Sequence, residues 1–98
     1  MLIRIVKLTF EEENISSFEA IFEETKEMIR NFNGCQFLEL YQDKEHSNIF
    51  FAYSKWVDET YLEAYRNSDF FKSVWSRTKL LFKEKPEAWS VMKKDSLS

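Results

Sequence analysis

One cysteine, one glycine, one proline and one histidine in 98 residues leave several chemistries without material. A lone thiol, Cys35, excludes an internal disulfide, and without a neighbouring histidine it reads as buried packing rather than a nucleophile. A lone histidine, His46, gives no candidate Ser-His-Asp set and no His/Cys/Asp cluster, so no metal site is expected. With Gly34 as the single glycine there is no Gly-rich loop to cradle a phosphate, and nucleotide chemistry falls away. So little glycine and proline also leaves no material for long irregular loops, so regular elements must follow one another closely. No apolar run approaches the ~20 residues that span a bilayer. The N-terminus lacks the succession of basic, apolar and small residues that marks a signal peptide. We therefore expect a cytoplasmic chain with no membrane contact. Positive charge is not in excess either: 14 Lys and Arg stand against 17 Asp and Glu, a net charge of −3 that argues against nucleic acid as a partner.

What the chain has is aromatic bulk. Ten Phe, four Tyr and three Trp make 17% of the residues, and each ring, when buried, removes about 150–250 Å² from water. We expect one domain over residues 1–94 and a frayed tail over 95–98. The most telling segment is 49–56, Ile-Phe-Phe-Ala-Tyr-Ser-Lys-Trp. It reads as a strand whose alternating sides, Ile49/Phe51/Tyr53 and Phe50/Ala52/Trp56, are both apolar enough to need cover. Antiparallel sheets in small proteins usually wet one side. The helices of so short a chain can cover one face, and a second copy of the chain is expected to cover the other.

Along the chain, residues 1–10 alternate Leu2/Arg4/Val6/Leu8/Phe10 against Ile3/Ile5/Lys7/Thr9 as a first strand. Ser16 followed by Glu19 has the form of a capping box, and Phe18, Ile21, Phe22, Thr25, Met28, Ile29 and Phe32 recur at helical spacing over roughly residues 15 to 32. Asn33-Gly34 closes that helix. Cys35 to Asp43 forms a second strand, paired in a hairpin with 49–56. Asp58 and Ser68 can cap two short helices, which bends or splits the second helical region near Asn67-Ser68. Pro86 precedes a last strand at Ala88–Met92. The order β-α-β-β-α-β predicts an α+β, ferredoxin-like fold with a four-stranded antiparallel sheet and the helices on one side.

This order, with Ser54-Lys55-Trp56 ending the third strand, the segment Tyr65-Arg66-Asn67-Ser68-Asp69-Phe70-Phe71, and Pro86-Glu87-Ala88-Trp89-Ser90 near the end, resembles the antibiotic biosynthesis monooxygenase domain family. The resemblance covers nearly the whole chain. It implies a dimeric α+β barrel, in which two sheets pack face to face. It also implies a pocket within each subunit, between the sheet and the helical segment after strand three. Members include cofactor-independent oxygenases of quinol-type substrates, haem-degrading enzymes and proteins of no assigned role, so fold alone does not fix function. Haem-degrading relatives use a histidine from the last helix, where this chain aligns Trp75, and an asparagine in the first strand, which has none. Haem ligation is disfavoured, and no cofactor is expected.

Two readings of the interior stand side by side. Small Ala52, Ser54, Ala88 and Ser90 either accommodate large helix residues in a filled core or leave a ligand cavity. For a cavity, the candidate substrate-binding residues are Trp56, Tyr65, Trp75, Phe71 and Ser54, since aromatic rings stack on a flat ligand and Tyr or Trp adds a polar handle. Trp89 is divided between a pocket and the dimer contact. Glu39 lies mid-strand between Phe37 and Tyr41, and Arg4, Lys7 or Lys55 is expected to pair with it. Arg77 is expected among the solvated cations Lys72, Lys79 and Lys83. Two functions follow. One is a homodimeric, cofactor-independent monooxygenase acting on a small aromatic or quinol-type molecule; the other is a non-catalytic binder or structural homologue of the same fold.

Overall fold

The structure is a computed structural model and describes residues 1–98. Four strands, β1 (Leu2–Phe10), β2 (Cys35–Gln42), β3 (Ile49–Trp56) and β4 (Phe82–Val91), form one antiparallel sheet in the order β2-β3-β1-β4. Three helices, α1 (Ile15–Arg30), α2 (Glu59–Arg66) and α3 (Asp69–Thr78), complete the ferredoxin-like order. The shortest dimension is 21 Å, the thickness of one sheet layer and one helix layer with their side chains. One face of the sheet is therefore covered and the other is bare.

Register decides which residues go where. Arg4 faces Ser54 and Ser90, Val6 faces Ala52 and Ala88, and Leu8 faces Phe50 across the pairings of β1 with β3 and β4. With period-two alternation, these residues share the helix-covered face. Ile5, Phe51, Tyr53 and Trp89 share the opposite one.

Each helix starts and stops for local reasons. The Asp58 carboxylate accepts from Thr60 N at 2.9 Å and from Tyr61 N at 3.4 Å, and Ser68 Oγ accepts from Phe71 N at 3.1 Å. Each cap satisfies backbone donors that a first turn leaves open. The second helical region is thus split at Asn67-Ser68, as the sequence predicts. The capping box of α1 does not form. A 3₁₀ turn over Glu12–Asn14 runs into the helix and leaves Ser16 inside it; Asn14 occupies the cap position, with its side-chain amide donating to Leu81 O at 3.3 Å. The end of α1 also differs from expectation. The helix stops at Arg30, and a turn separates it from Gly34, which enters β2 with φ of +91°. A Cβ at Gly34 would overlap the base of the Tyr61 side chain, so this position needs glycine for space as well as for backbone angle.

Strand β4 begins at Phe82, six residues before the predicted Ala88. The polar run Lys83-Glu84-Lys85 masks it in sequence, and Pro86 is tolerated because β4 is an edge strand. Residues 92–98 carry neither helix nor strand. The longest helix has 16 residues, and none is long and apolar enough to cross a membrane.

Under the helices the interior has two centres. Leu8, Phe10, Phe18 and Phe50 form one, with Phe22, Leu81 and Phe82 against them. Cys35, Trp56 and Leu62 form the other, with Phe32, Tyr61 and Tyr65 against them. A chain of ring contacts joins the two: Trp56–Tyr65 at 5.0 Å, Tyr65–Phe71 at 5.0 Å, Phe71–Trp75 at 5.9 Å and Trp75–Phe82 at 5.5 Å between centroids.

Candidate functional site

Between the sheet and the helices lies a cavity of about 350 Å³. Its sheet side includes small side chains, Ala52 on β3 and Ala88 on β4, and its helix side includes the rings of Tyr65 from α2 and Phe71 and Trp75 from α3. The filled-core alternative therefore does not describe this interior.

All five sequence-predicted residues, Trp56, Tyr65, Trp75, Phe71 and Ser54, lie in the wall of this one cavity. Trp56 is 1% exposed and donates its indole N–H to Ser54 Oγ at 3.0 Å. That bond locks the indole and leaves the Ser54 hydroxyl its own proton to donate. Tyr65 comes from α2 and meets Trp56, Phe71 and Phe32. Burial, with a smaller contribution from Cys35, pushes its phenol well above the ordinary tyrosine range. The Tyr65 hydroxyl thus stays neutral, with a proton it can donate and no charge with which to act as a base. Thr25 and Thr78, also in the wall, spend their hydroxyls on the carbonyls of Ile21 at 2.8 Å and Val74 at 2.9 Å.

Both charged wall residues escaped the sequence reading of the site: Arg4 on β1 and Arg66 at the end of α2. They are the charged residues of the lining, which holds no Asp, Glu, His or Lys. Arg4 donates to Ser90 Oγ at 3.0 Å, and Arg66 pairs with Glu63 at 3.1 Å. Burial, then the nearby positive charge of Arg66, lowers the Arg4 pKa, while Glu63 opposes this. Arg4 shares alternation with Val6 and Leu8, and strand pairing, with Arg4 against Ser54 and Ser90, sets that parity under the helices.

The same parity corrects the expected pairing with Glu39. Arg4 is on the other face, Lys7 sits 4.0 Å from Glu87, and Lys55 lies over the Phe37 ring at 4.9 Å. Glu39 instead accepts from the Tyr41 hydroxyl, and this bond is the main cause of the raised Tyr41 pKa. Trp89 is on the bare face, 45% exposed and paired with Ile5, so it has no part in the cavity. Arg77 bridges α3 to Glu24 of α1 at 3.2 Å rather than joining the lysines. Cys35 is buried, with its thiol directed at Phe37 O, and burial raises its pKa. His46 is exposed in the turn between β2 and β3, where Asp43 accepts from the Glu45 and His46 backbone N–H groups. No three His, Cys, Asp or Glu side chains gather as metal ligands.

Comparison with known proteins places this geometry. Among solved structures, a conserved protein from Methanosarcina mazei Go1 superposes with a TM-score of 0.88 at 25% identity, over 96% of this chain and 94% of that one. A structure described as an antibiotic biosynthesis monooxygenase gives 0.88 at 17% identity over the whole of both chains. A protein from Pseudomonas aeruginosa gives 0.85 at 20% identity, over 96% and 94%. No curated protein matches the chain at a significant level. The antibiotic biosynthesis monooxygenase family model matches residues 1–75, which include β1 to β3, α2 and most of the aromatic roof, and the chain belongs to that family.

Proposed function

We propose that this chain is a cofactor-independent monooxygenase acting on a small phenolic or quinol-type aromatic in the cavity under its helices. The observation that carries the reading is a ring-sized space walled by Trp56, Phe71, Trp75 and a Tyr65 whose phenol stays neutral. At about 350 Å³ it falls at the small end of the ~300–1,000 Å³ typical of ligand sites, the scale of one or two fused rings.

The chemistry asks little of the protein. An ionised phenol passes one electron to O₂, and the radical pair combines at the ring carbon para to the oxygen. Loss of that carbon's proton then forms the second carbonyl as the O–O bond breaks. One oxygen atom ends in the quinone and the other in water, the ring supplying all four electrons. The cavity contributes binding, exclusion of water and hydrogen bonds to developing negative charge. Tyr65 and the free Ser54 proton are the donors assigned to that task.

The bare sheet face supports a homodimer as part of the proposal. Ile5, Phe51, Tyr53 and Trp89 form its apolar middle, and it carries both signs of charge in Lys7, Lys55, Glu39 and Glu87. A patch of that kind is self-complementary, as a two-fold interface requires. The unpaired thiol Cys35 fits a reducing compartment, so cytoplasmic residence belongs to the same reading.

The second reading is a non-catalytic binder of small aromatics. It is favoured by the lack of any carboxylate or imidazole in the lining to serve as a base.

Oxygen uptake decides between the two. A panel of naphthols and quinols should consume O₂ only with the protein present, and Tyr65→Phe should slow uptake about tenfold, the loss of one hydrogen bond to developing charge. Binding of the panel, seen by tryptophan fluorescence, with no uptake would establish the binder instead. Uptake unchanged in both Tyr65→Phe and Trp75→Leu would remove the site assignment. Sedimentation should show a dimer that Phe51→Lys dissociates, and a dilute folded wild-type monomer would refute the interface.

A further inference from the structure

The charge around the cavity is one-sided. Arg4 belongs to none of the four ion pairs of the chain, and its one protein partner at the guanidinium is the neutral Ser90 hydroxyl. Arg66 is close enough for its charge to act on Arg4, and Glu63 is the carboxylate beside them. Two guanidinium groups against one carboxylate leave a positive charge uncompensated. A guanidinium carries five N–H donors in a planar fork, so most of these donors find no protein acceptor. A partly buried cation in a mostly apolar wall is costly without an anion, and the wall offers none of its own.

We infer that the Arg4–Arg66 end of the cavity holds the ionised oxygen of a phenolic ligand, so that the substrate is bound as its phenolate. This rests on reading the cavity as an aromatic-binding site and adds what that reading lacks, the means of ionising the substrate without a base. The ring lies toward Trp56, Phe71 and Trp75, and its proton is left in solvent rather than passed to a side chain. The ionisable groups facing this end are Arg4 from β1, Glu63, Tyr65 and Arg66 from α2, and Cys35 at the head of β2. Of these, the carboxylate of Glu63 alone opposes an anion, and it is already engaged by Arg66.

Two effects on the ligand have opposite signs, which makes the test decisive. Burial alone raises the pKa of a phenol, while a neighbouring cation lowers it by about one to three units. The probe is 4-nitrophenol, whose phenolate absorbs in the visible. Titrated at saturating wild-type protein, its midpoint should fall by about one pH unit, a tenfold preference for the anion. Arg4→Gln should abolish the fall or turn it into a rise, and Arg66→Gln should remove part of it. Arg77→Gln, which takes the same charge from the outside of α3, should leave it intact. Circular dichroism checks folding; if Arg4→Gln does not fold, the sign of the wild-type shift and Arg66→Gln still decide. A midpoint unmoved or raised in wild type, no binding of 4-nitrophenol, or a fall that survives loss of both arginines would overturn the inference. The readout does not involve O₂. A shift without oxygen uptake would defeat the oxygenase and keep the phenolate site; uptake without a shift would do the reverse.

Discussion

The two ends of the interior are built from similar rings to different purposes. Around Phe10 the partners are hydrocarbon throughout: Phe18 at 4.3 Å, Phe82 at 5.0 Å and Phe50 at 5.9 Å between centroids. Around Trp56 hydrocarbon from Leu62 and Phe32 is mixed with heteroatoms, in the Ser54 hydroxyl, the Tyr65 phenol and the Cys35 thiol. The first end is free to pack to the density of a crystal because no polar atom must be satisfied. The second needs its polar atoms placed, and the Trp56–Ser54 bond places two of them. Both ends reach the cavity, through Leu8, Phe18 and Phe22 at the first and Trp56, Leu62 and Tyr65 at the second, but only the second brings polar atoms to it.

The sharpest way to break that contrast is Phe10→Ala. Phe10 is 0% exposed, and emptying such a site costs about 3–5 kcal/mol, which a urea titration would show as a large fall in midpoint. Whatever folded protein remains should bind 4-nitrophenol as before, since Phe10 is not part of the cavity wall. Ser54→Ala works the other end. It strands the Trp56 indole N–H in a buried setting, for about 1–3 kcal/mol, and should also weaken ligand binding; a stability loss with unchanged affinity would detach Ser54 from the site. A third effect, of similar size, is read in alkali. Tyr65 has a folded pKa above its unfolded value of about 10, so its contribution is whole below pH 10. Above that, the unfolded chain gives up the proton first, and stability falls by about 1.4 kcal/mol per pH unit until the folded group also ionises. Tyr65→Phe should flatten the decline between pH 10 and 12 relative to wild type. Parallel curves would show that the phenol is in contact with water and not buried.

Legibility in the sequence followed the strength of the local signal. Strand β3 and the split at Asn67-Ser68 could be read because alternation and capping residues act over a few positions. The ring types of the site could be read for the same reason, since Trp56 and Tyr65 end or follow elements of clear period. The face of Arg4 could not, because both sides of β1 are apolar and alternation gives parity without saying which parity the helices cover. Pairing supplies that answer by setting Arg4 against Ser54, two residues from Trp56. The cavity itself depends on how far two short helices stand off the sheet, a tertiary distance that no local pattern encodes. The start of β4 was hidden for a simpler reason: an edge strand can afford Lys, Glu and Pro where a central one cannot.

Strand β1 is central, yet its two flanks come from opposite parts of the sequence, with Ile3 set against Lys55 on one side and Val91 on the other. A polypeptide cut or stalled before Phe82 would present β1 as a naked border, its amide and carbonyl row unfilled beside Ile3 and Ile5. Such a border recruits other strands. Clipping the segment from Phe82 onward should accordingly yield insoluble material rather than a smaller folded unit, and a chaperone would have to guard that rim during synthesis until the closing segment emerged.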